Sequence, residues 1–426
     1  MARLLARLSD PDQSGVWISK VDATAAMEAA RALDARRENI DDLPLFGLIM
    51  SVKDCIDVAG ISTTCACPEF AYMPERSSPV VDRALAAGAL FIGKTNLDQF
   101  ATGLVGVRSP YGTARNPHNP DYIPGGSSSG AAVSVATGTS SFALGTDTGG
   151  SGRVPASYCG VTGLKPTPGA LSRNGMTNAC RSFDTISIYT DGPSDAFDVF
   201  SALAAYDPED CFSLAEAGVD SGATLRSTND LRLAVPKRSQ RKFFGNAETE
   251  ALFETGLQAT KVIFDSVEET DFSLFTDLNG LMFFGPFLAE RYLSVGRFLE
   301  ENPNAGEPVV RELILQGADK TAAEAYEAIY QIRESTRRLA AFWRDYDALL
   351  VPTVGTIVTV EEVRKDPLGP NFNNGYYTNF ANPLGLAACS VPNAVTSQGV
   401  PYGVTFLGPG GSEGLLSRIG DSFARR

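Results

Sequence analysis

The sequence predicts an α/β fold with a central β-sheet, and two observations indicate this class. Short apolar runs of strand length, such as Leu45–Val52, alternate with segments whose apolar residues recur at helical spacing, and the alternation continues through 131–188. The chain also contains 41 Gly and 25 Pro in 426 residues, as expected where many tight connections join strands and helices. Such alternation favours crossover units built around one sheet.

The predicted elements follow from these patterns in chain order. Helical spacing of apolar residues predicts helices at Asp22–Arg37, Val80–Ala87, Ala247–Phe264, Thr321–Tyr346 and Ser412–Arg426. Apolar runs predict strands at Leu45–Val52, Leu90–Gly93, Leu231–Val235 and Ala348–Pro352. The Pro-, Gly- and Asn-rich segment Asp366–Gly375 is predicted to be a loop near the functional site. No repeat, low-complexity tract or linker interrupts the chain, so we expect a single domain over residues 1–426.

Charge and hydropathy exclude several classes of protein. The net charge of −14 argues against nucleic acid as a partner, and an anionic substrate would need local arginines to be bound. No apolar run reaches the length needed to span a membrane, and the first ten residues lack the apolar core of a signal peptide. We therefore expect no membrane partner and no export.

The seven cysteines do not form a disulfide framework. Their number is odd and their spacing is irregular, which favours a reducing compartment, and we predict a cytoplasmic protein. Cys65 and Cys67 could be half of a metal site, but no second pair lies at a zinc spacing and the chain has one histidine. We interpret both as buried or semi-buried thiols and expect no metal.

The densest cluster of glycine and hydroxyl residues lies between Pro124 and Pro155. Two serine-bearing glycine turns, Gly125–Gly130 and Gly149–Gly152, flank the apolar stretch Ala131–Leu144, which is long enough to form a buried helix and strand. Glycine allows the backbone to approach a ligand closely. Paired turns of this kind can direct a serine and backbone N–H groups at one point, as acyl transfer requires.

The single histidine does not occupy the place in the chain where a serine hydrolase of the α/β-hydrolase type has its base. The only histidine, His118, precedes the G-x-S-x-G match around Ser128, whereas α/β-hydrolases place theirs after the serine. A lysine can act as base if burial lowers its pKa, and Lys53 at the end of a predicted strand is the best-placed candidate. On the residues alone, an ordinary surface lysine is the better interpretation and a buried base is the alternative.

The tract GGSSSG, followed by ALGTDTGGSGRVPASYCGVTGLKPT and preceded by SVKD at Ser51–Asp54, resembles the signature of the amidase signature family. This resemblance implies an α/β fold with a central mixed β-sheet covered on both faces by α-helices. It also implies a Ser–cis-Ser–Lys triad, with Ser151 as nucleophile, Ser127 as bridging serine after a cis peptide, and Lys53 as base. The fold and chemistry need no cofactor.

The resemblance assigns further roles around the triad. The backbone N–H groups of Thr148, Gly149, Gly150 and Ser151 would form the oxyanion hole. Ser128 would be a hydrogen-bonding neighbour of the site and a candidate substrate contact. Asp147 would be a structural carboxylate that holds the nucleophile loop, and Arg153 would contact substrate or pair with a nearby carboxylate.

A second resemblance concerns the substrate. The segment ACRSFDTISIY at Ala179–Tyr189 and the segment GPFLAERY at Gly285–Tyr292 are similar to allophanate hydrolases. This similarity implies a small anionic amide, allophanate (urea-1-carboxylate), as substrate, with Arg291 binding its carboxylate. Arg181 is a second candidate for that contact, and a buried structural ion pair is an equal alternative. Phe283 stands where a substrate-contacting tyrosine is expected, so one hydrogen bond to substrate would be lost.

Other functions remain open from the sequence. The chain could hydrolyse another small amide, such as a biuret- or carboxybiuret-like compound or an aliphatic amide, or could be an amidotransferase-type subunit. Family resemblance also favours a homodimer. The smaller C-terminal domain common in allophanate hydrolases is expected to be absent from residues 1–426, and the sequence is either a free-standing amidase or a piece of a longer protein.

Overall fold

A computed structural model describes residues 1–8, 10, 13–215, 227–282 and 285–426. Within these ranges the strands are β1 Trp17–Lys20, β2 Ile49–Lys53, β3 Leu90–Thr95, β4 Phe142–Asp147, β5 Thr162–Lys165, β6 Thr185–Thr190, β7 Arg232–Pro236, β8 Ser266–Thr270, β9 Ala348–Pro352, β10 Ala387–Val395 and β11 Pro401–Gly408. All of them belong to one sheet with the order β1-β3-β2-β4-β6-β5-β10-β11-β9-β7-β8.

The sheet is mixed, as predicted. β3, β2 and β4 pair in parallel, and β9, β7 and β8 form a second parallel set. Between these sets, β4, β6, β5, β10, β11 and β9 pair antiparallel with their neighbours, and β1 pairs antiparallel with β3 at the edge. Because β2 and β4 are adjacent and parallel, their carboxyl ends lie at the same edge of the sheet.

Both faces of the sheet are buried. Along β9, Ala348 and Leu350 belong to one apolar cluster, whereas Leu349 and Val351 belong to another. Side chains alternate between the two faces of a strand, so the two clusters lie on opposite sides of the sheet. Near-continuous apolar strands of this kind are typical of a sheet covered by helices on both faces, which confirms the predicted fold class.

The α-helices are α1 Ala2–Arg7, α2 Ala23–Asp34, α3 Pro79–Ala86, α4 Ser129–Ala136, α5 Arg153–Cys159, α6 Pro193–Leu203, α7 Ala247–Ile263, α8 Ser273–Thr276, α9 Leu288–Arg291, α10 Arg297–Glu301, α11 Pro308–Leu315, α12 Ala322–Asp345, α13 Val360–Lys365, α14 Gly369–Gly375 and α15 Glu413–Ala424. Every helix predicted from apolar spacing is confirmed to within a few residues at each end. No helix within the described ranges is long and apolar enough to cross a membrane.

The predicted loop Asp366–Gly375 is wrong, because most of it forms α14. Asp366 caps the helix by accepting hydrogen bonds from the backbone N–H groups of Leu368 and Gly369. Pro370 lies in the first turn, where its missing N–H is tolerated. Tertiary contacts complete the helix, since Asn371 and Asn374 are buried and bond the backbone of Leu104. The sequence favoured a loop because these contacts lie far away in the chain.

The cysteines follow the interpretation made from their spacing. Cys65 and Cys67 are buried as free thiols, and so are four of the other five, with Cys211 exposed. In the part of the chain that the structure describes, no three His, Cys, Asp or Glu side chains form a metal-binding group.

Candidate active site

Lys53 lies fully buried at the carboxyl end of β2. Its Nζ is 2.7 Å from Ser127 Oγ and 2.6 Å from Thr146 Oγ1 on the neighbouring strand β4. Burial lowers the pKa of this ammonium below the usual lysine value, because a charged group is poorly solvated in the interior. The structure therefore resolves the alternative left by the sequence: Lys53 is an interior group bonded to two hydroxyls.

Three buried carboxylates surround Lys53 and act against this effect. Asp98, Asp184 and Asp147 each raise the pKa of Lys53 through their charge. Each of these carboxylates also faces an arginine, and the three arginines are Arg108, Arg291 and Arg153 respectively. The positive charge near each carboxylate reduces the amount by which that carboxylate raises the pKa of Lys53. The site thus keeps its lysine among hydroxyls instead of in an ion pair.

Ser127 follows a cis peptide bond at Gly126–Ser127, as the family resemblance implies. Gly126 is packed so closely that a Cβ there would lie 2.1 Å from Asp98 Oδ2 and 2.5 Å from the backbone N of Gly106. Only glycine fits such a position. Asp98 is itself held by the backbone N–H groups of Val105, Gly106 and Arg108. The serine turn therefore rests on a rigid, fully hydrogen-bonded carboxylate.

Ser128 occupies the start of α4 and binds the backbone of β4. Its Oγ donates to the Thr146 carbonyl at 3.0 Å and accepts from the Thr146 N–H at 3.3 Å. These bonds tie the serine turn to the strand that leads to Ser151. The predicted contact between Ser128 and substrate stays a prediction.

Asp147 organises the loop that carries Ser151. Its two oxygens accept hydrogen bonds from the N–H groups of Gly150 and Gly152, at 2.9 and 3.0 Å, and from Arg153 in a bidentate pair at 2.9 Å. Burial alone would raise the pKa of Asp147, but the Arg153 guanidinium and these N–H groups hold it below its ordinary value. Of the two alternatives for Arg153, the structure shows the pairing with a carboxylate.

The backbone around Ser151 is fixed on several sides. Tyr189 Oη donates to the Ser151 carbonyl at 2.8 Å, and Thr378 Oγ1 donates to the Gly149 carbonyl at 2.7 Å. Gly150 has φ +135°, and a Cβ there would lie 2.4 Å from Thr378 Oγ1. Among the described residues, nothing accepts a hydrogen bond from the N–H of Thr148, Gly149 or Ser151. The N–H of Gly150 is already bonded to Asp147.

Asp184 is a site residue for which the sequence analysis predicted no role. Its Oδ1 accepts a hydrogen bond from the Thr148 hydroxyl, and its Oδ2 accepts one from the N–H of Ala179 at 2.8 Å. Burial raises the pKa of Asp184 to about 6, although Thr148, the Cys180 N–H and the charge of Arg291 all act to lower it. The aspartate lies within the segment ACRSFDTISIY, but its partner Thr148 is 36 positions away, so only the fold shows the contact.

Arg291 is buried at the end of α9. Its Nη1 donates to Thr102 Oγ1 at 2.9 Å, and its charge faces Asp184 and Cys180. Burial lowers the pKa of this guanidinium below its ordinary value. The structure thus brings Arg291 into the same buried group of charges as Lys53. Phe283, the residue predicted at the tyrosine position, lies outside the described residues.

Arg181 is placed differently. Its side chain is exposed, and its guanidinium contacts Cys211 Sγ at 3.9 Å and lies 5.8 Å from the centre of the Phe212 ring. Among the described residues, it forms neither the buried ion pair considered from the sequence nor a contact with the group around Lys53. His118 has a different partner, since its Nε2 lies 3.0 Å from the Cys159 carbonyl.

This chain resembles known proteins over nearly its whole length. The amidase family profile matches residues 3–416. Urea amidolyase of Saccharomyces cerevisiae is 37% identical over 414 residues, which cover 95% of this chain and 22% of that protein. A glutamyl-tRNA(Gln) amidotransferase subunit from Roseiflexus castenholzii is 34% identical over 95% of this chain and 87% of that protein. Allophanate hydrolase of Kluyveromyces lactis superposes with a TM-score of 0.93 at 36% identity, over 99% of this chain and 68% of that one.

The chain therefore belongs to the amidase family, which makes it a hydrolase of C–N bonds, and the resemblance seen in the glycine–serine tract is confirmed. It spans 22% of the length of the urea amidolyases that it matches.

Proposed function

We propose that this chain hydrolyses allophanate and releases ammonia through an acyl-enzyme formed on Ser151. The observation that carries the proposal is the buried contact of Lys53 Nζ with Ser127 Oγ at 2.7 Å, at the sheet edge where β4 continues into the Ser151 loop. A lysine with a lowered pKa can accept a proton from a serine, whereas an ion-paired lysine cannot.

In the proposed first step, Ser151 Oγ attacks the carbonyl carbon of the terminal amide. Its proton passes to Ser127 Oγ as the proton of Ser127 passes to Lys53 Nζ. When the tetrahedral intermediate collapses, the C–N bond breaks, and the same relay returns a proton to the departing nitrogen, which leaves as ammonia. Ser151 is then acylated, and Lys53 is neutral again.

In the second step, water attacks the acyl carbon and gives up a proton through the same relay. The bond to Ser151 Oγ breaks and the serine recovers its proton. The product of allophanate would be a dicarboxylated imide, which loses carbon dioxide. No step requires an oxidant, a reductant or a cofactor.

The oxyanion of both intermediates needs N–H donors that are not already engaged. The backbone N–H groups of Thr148, Gly149 and Ser151 meet this requirement, whereas that of Gly150 is bonded to Asp147. We therefore assign the oxyanion hole to the first three groups and give Gly150 the role of shaping the loop.

The proposed substrate rests on Arg291 and on the relatives. A buried guanidinium whose charge faces Asp184, which also faces Lys53, suits a small carboxylated amide, because a charge-assisted hydrogen bond is strong where solvent is excluded. Allophanate hydrolase of K. lactis shares the fold across nearly the whole chain. We further propose that residues 1–426 act as a single amidase domain, in a cytoplasmic homodimer.

A second candidate function is that of an amidotransferase component. It is favoured by the 34% identity to a glutamyl-tRNA(Gln) amidotransferase subunit. A protein of that kind would use glutamine and not a carboxylated urea. A third candidate, hydrolysis of a biuret-like or aliphatic amide, would use the same triad with a different pocket.

Ammonia release from purified protein separates the three candidates. Allophanate, biuret, malonamide and glutamine are supplied in parallel, and the Ser151→Ala variant is the matched control. We expect rapid release from allophanate and a loss of at least about 1,000-fold in Ser151→Ala, since a nucleophile cannot be replaced by the rest of the site. Turnover of glutamine alone, or an active Ser151→Ala protein, would refute the proposal.

A further inference from the structure

Asp184 is the junction between two parts of the site that lie far apart in the chain. Its Oδ1 accepts from the hydroxyl of Thr148 and from the Cys180 N–H at 3.1 Å. Its Oδ2 accepts from the N–H groups of Ala179 at 2.8 Å and Cys180 at 3.1 Å. The carboxylate thus joins the Ser151 loop to the backbone at 179–180, and all of its partners are donors.

The segment around Asp184 is in turn tied to α9, which carries Arg291. The Ser182 N–H donates to Glu290 Oε2 at 2.7 Å, and the rings of Phe183 and Phe287 pack edge to face at 4.7 Å. Asn382 also links the Ser151 loop to this segment, because its Nδ2 donates to the carbonyls of Asp147 and Phe183 at 2.7 and 3.0 Å. A shift at Asp184 would therefore move both the nucleophile loop and the arginine segment.

We propose that Asp184 is a positioning residue that couples the Thr148 end of the oxyanion hole to the Arg291 segment, so that both are aligned on one substrate. This inference rests on the proposed function, because it assumes that Ser151 is acylated. Asp184 touches neither the nucleophile nor the reacting amide in this scheme. It acts through Thr148 and through the backbone of 179–180.

A pH dependence follows from the donors that surround the carboxylate. The charged and titratable groups that face Asp184 are Arg291 from α9, Lys53 from β2, and Arg173 and Cys180 from the 173–180 segment. Burial raises the pKa of Asp184 to about 6. Below that pH one oxygen would carry a proton. A proton on Oδ2 would face only the N–H groups of 179–180 and would break a hydrogen bond there, whereas a proton on Oδ1 would require the Thr148 hydroxyl to reverse its bond and act as acceptor. Activity should fall as the pH decreases through about 6.

The test measures how fast a fluorophosphonate probe labels Ser151, as a function of pH, because this rate does not depend on the identity of the substrate. In Asp184→Asn we expect labelling about 10- to 100-fold slower at the pH optimum, since a small displacement of the oxyanion donors is enough for such a loss. Lys53 must also lose a proton for the reaction. The acid limb of the natural protein should therefore be steeper by one proton than that of Asp184→Asn.

Two variants of Thr148 test the same hydrogen bond between Thr148 and Asp184. Thr148→Val removes the hydroxyl that binds Asp184, whereas Thr148→Ser keeps it. We expect Thr148→Val to reproduce the slow labelling and the shallower acid limb, and Thr148→Ser to restore both. This pair keeps the proposal testable if Asp184→Asn fails to fold.

Asp207→Asn is the matched control. Asp207 is another buried carboxylate that accepts hydrogen bonds from a hydroxyl and a backbone N–H, those of Ser172 and Glu209, but it has no contact with the Ser151 loop or with Arg173 among the described residues. Its labelling rate and acid limb should be unchanged. Unaltered labelling and an unaltered limb in Asp184→Asn, or equal behaviour of Thr148→Val and Thr148→Ser, would overturn the inference. Normal labelling without allophanate turnover would refute the proposed substrate alone, and an unlabelled natural protein would refute the serine mechanism and this inference with it.

Discussion

The candidate site has two halves that are held in different ways. The catalytic half consists of Lys53, Ser127 and the loop 147–153, and it is built on the ends of two adjacent parallel strands. The proposed substrate half consists of 179–184 and 285–291, and contacts such as the Ser182 N–H to Glu290 and the ring pair Phe183–Phe287 hold it together. The first half is anchored on paired strands, whereas the second lies outside the strands and depends on contacts between two segments that are far apart in the chain. We therefore expect replacements in the second half to change substrate binding more than the proton relay.

Two buried lysines of the sheet have different partners. Lys53 and Lys94 are both fully buried, but Lys94 forms an ion pair with Asp54 at 3.1 Å, whereas Lys53 bonds hydroxyls. A buried charge with a partner contributes to structure, and one without a partner tends to lose its proton. Lys53 and Lys94 therefore differ in what holds them, and this difference supports the proposed role of Lys53 as a base.

The largest expected effect comes from replacing the unpaired lysine. Lys53→Met should reduce ammonia release at least about 1,000-fold, because no other group can accept the serine proton. Its urea midpoint should be unchanged or higher, since a poorly solvated amine is replaced by an apolar chain of similar length. The measurements are ammonia release and urea unfolding.

Lys94→Met is the matched control for that variant. It should lower the free energy of unfolding by about 3–5 kcal/mol, because Asp54 is left as an uncompensated buried charge. A Lys53→Met protein that is active, or that is destabilised as strongly as Lys94→Met, would contradict the assignment of the two roles.

A smaller effect, confined to the substrate half, is expected for Arg291→Gln. KM for allophanate should rise about 10- to 100-fold, which corresponds to the loss of a charge-assisted hydrogen bond. KM for a neutral amide such as malonamide should change much less, and kcat should be affected less than KM. Steady-state ammonia release with both substrates measures this difference. An equal change for the charged and the neutral substrate would remove Arg291 from the carboxylate site.

The smallest effect is expected for Arg181→Ala. The side chain is exposed and lies against Phe212, so its charge is screened by solvent and contributes little to binding. KM for allophanate should change by less than about 2-fold at physiological ionic strength. A rise comparable to that of Arg291→Gln would show that Arg181 closes over the substrate, and the division into two halves would then need a third, mobile part.

Many residues of the catalytic half could be named from the sequence, because they lie in short contiguous motifs, and their catalytic roles stay predictions. The glycine turns, the apolar strand before Lys53 and the single histidine all limit the chemistry locally. The contacts of Thr146 and Asp184 were not predicted. Thr146 bonds Lys53, which is 93 positions away, and Asp184 bonds Thr148, which is 36 positions away. The helix α14 was missed for a similar reason, because its buried asparagines bond Leu104, more than 260 positions earlier.

By itself, the sequence determined the class of fold, the strands and helices with clear periodicity, and the residue types available for acyl chemistry. These properties depend on neighbours within a few positions, and apolar spacing and glycine turns record them directly. Only the tertiary structure decided that Lys53 is buried instead of exposed, that Arg153 pairs with Asp147, and that Arg291 is interior while Arg181 is not. Burial and charge pairing depend on groups that separate strands bring together, so the solvation of a side chain becomes defined only when the sheet is assembled.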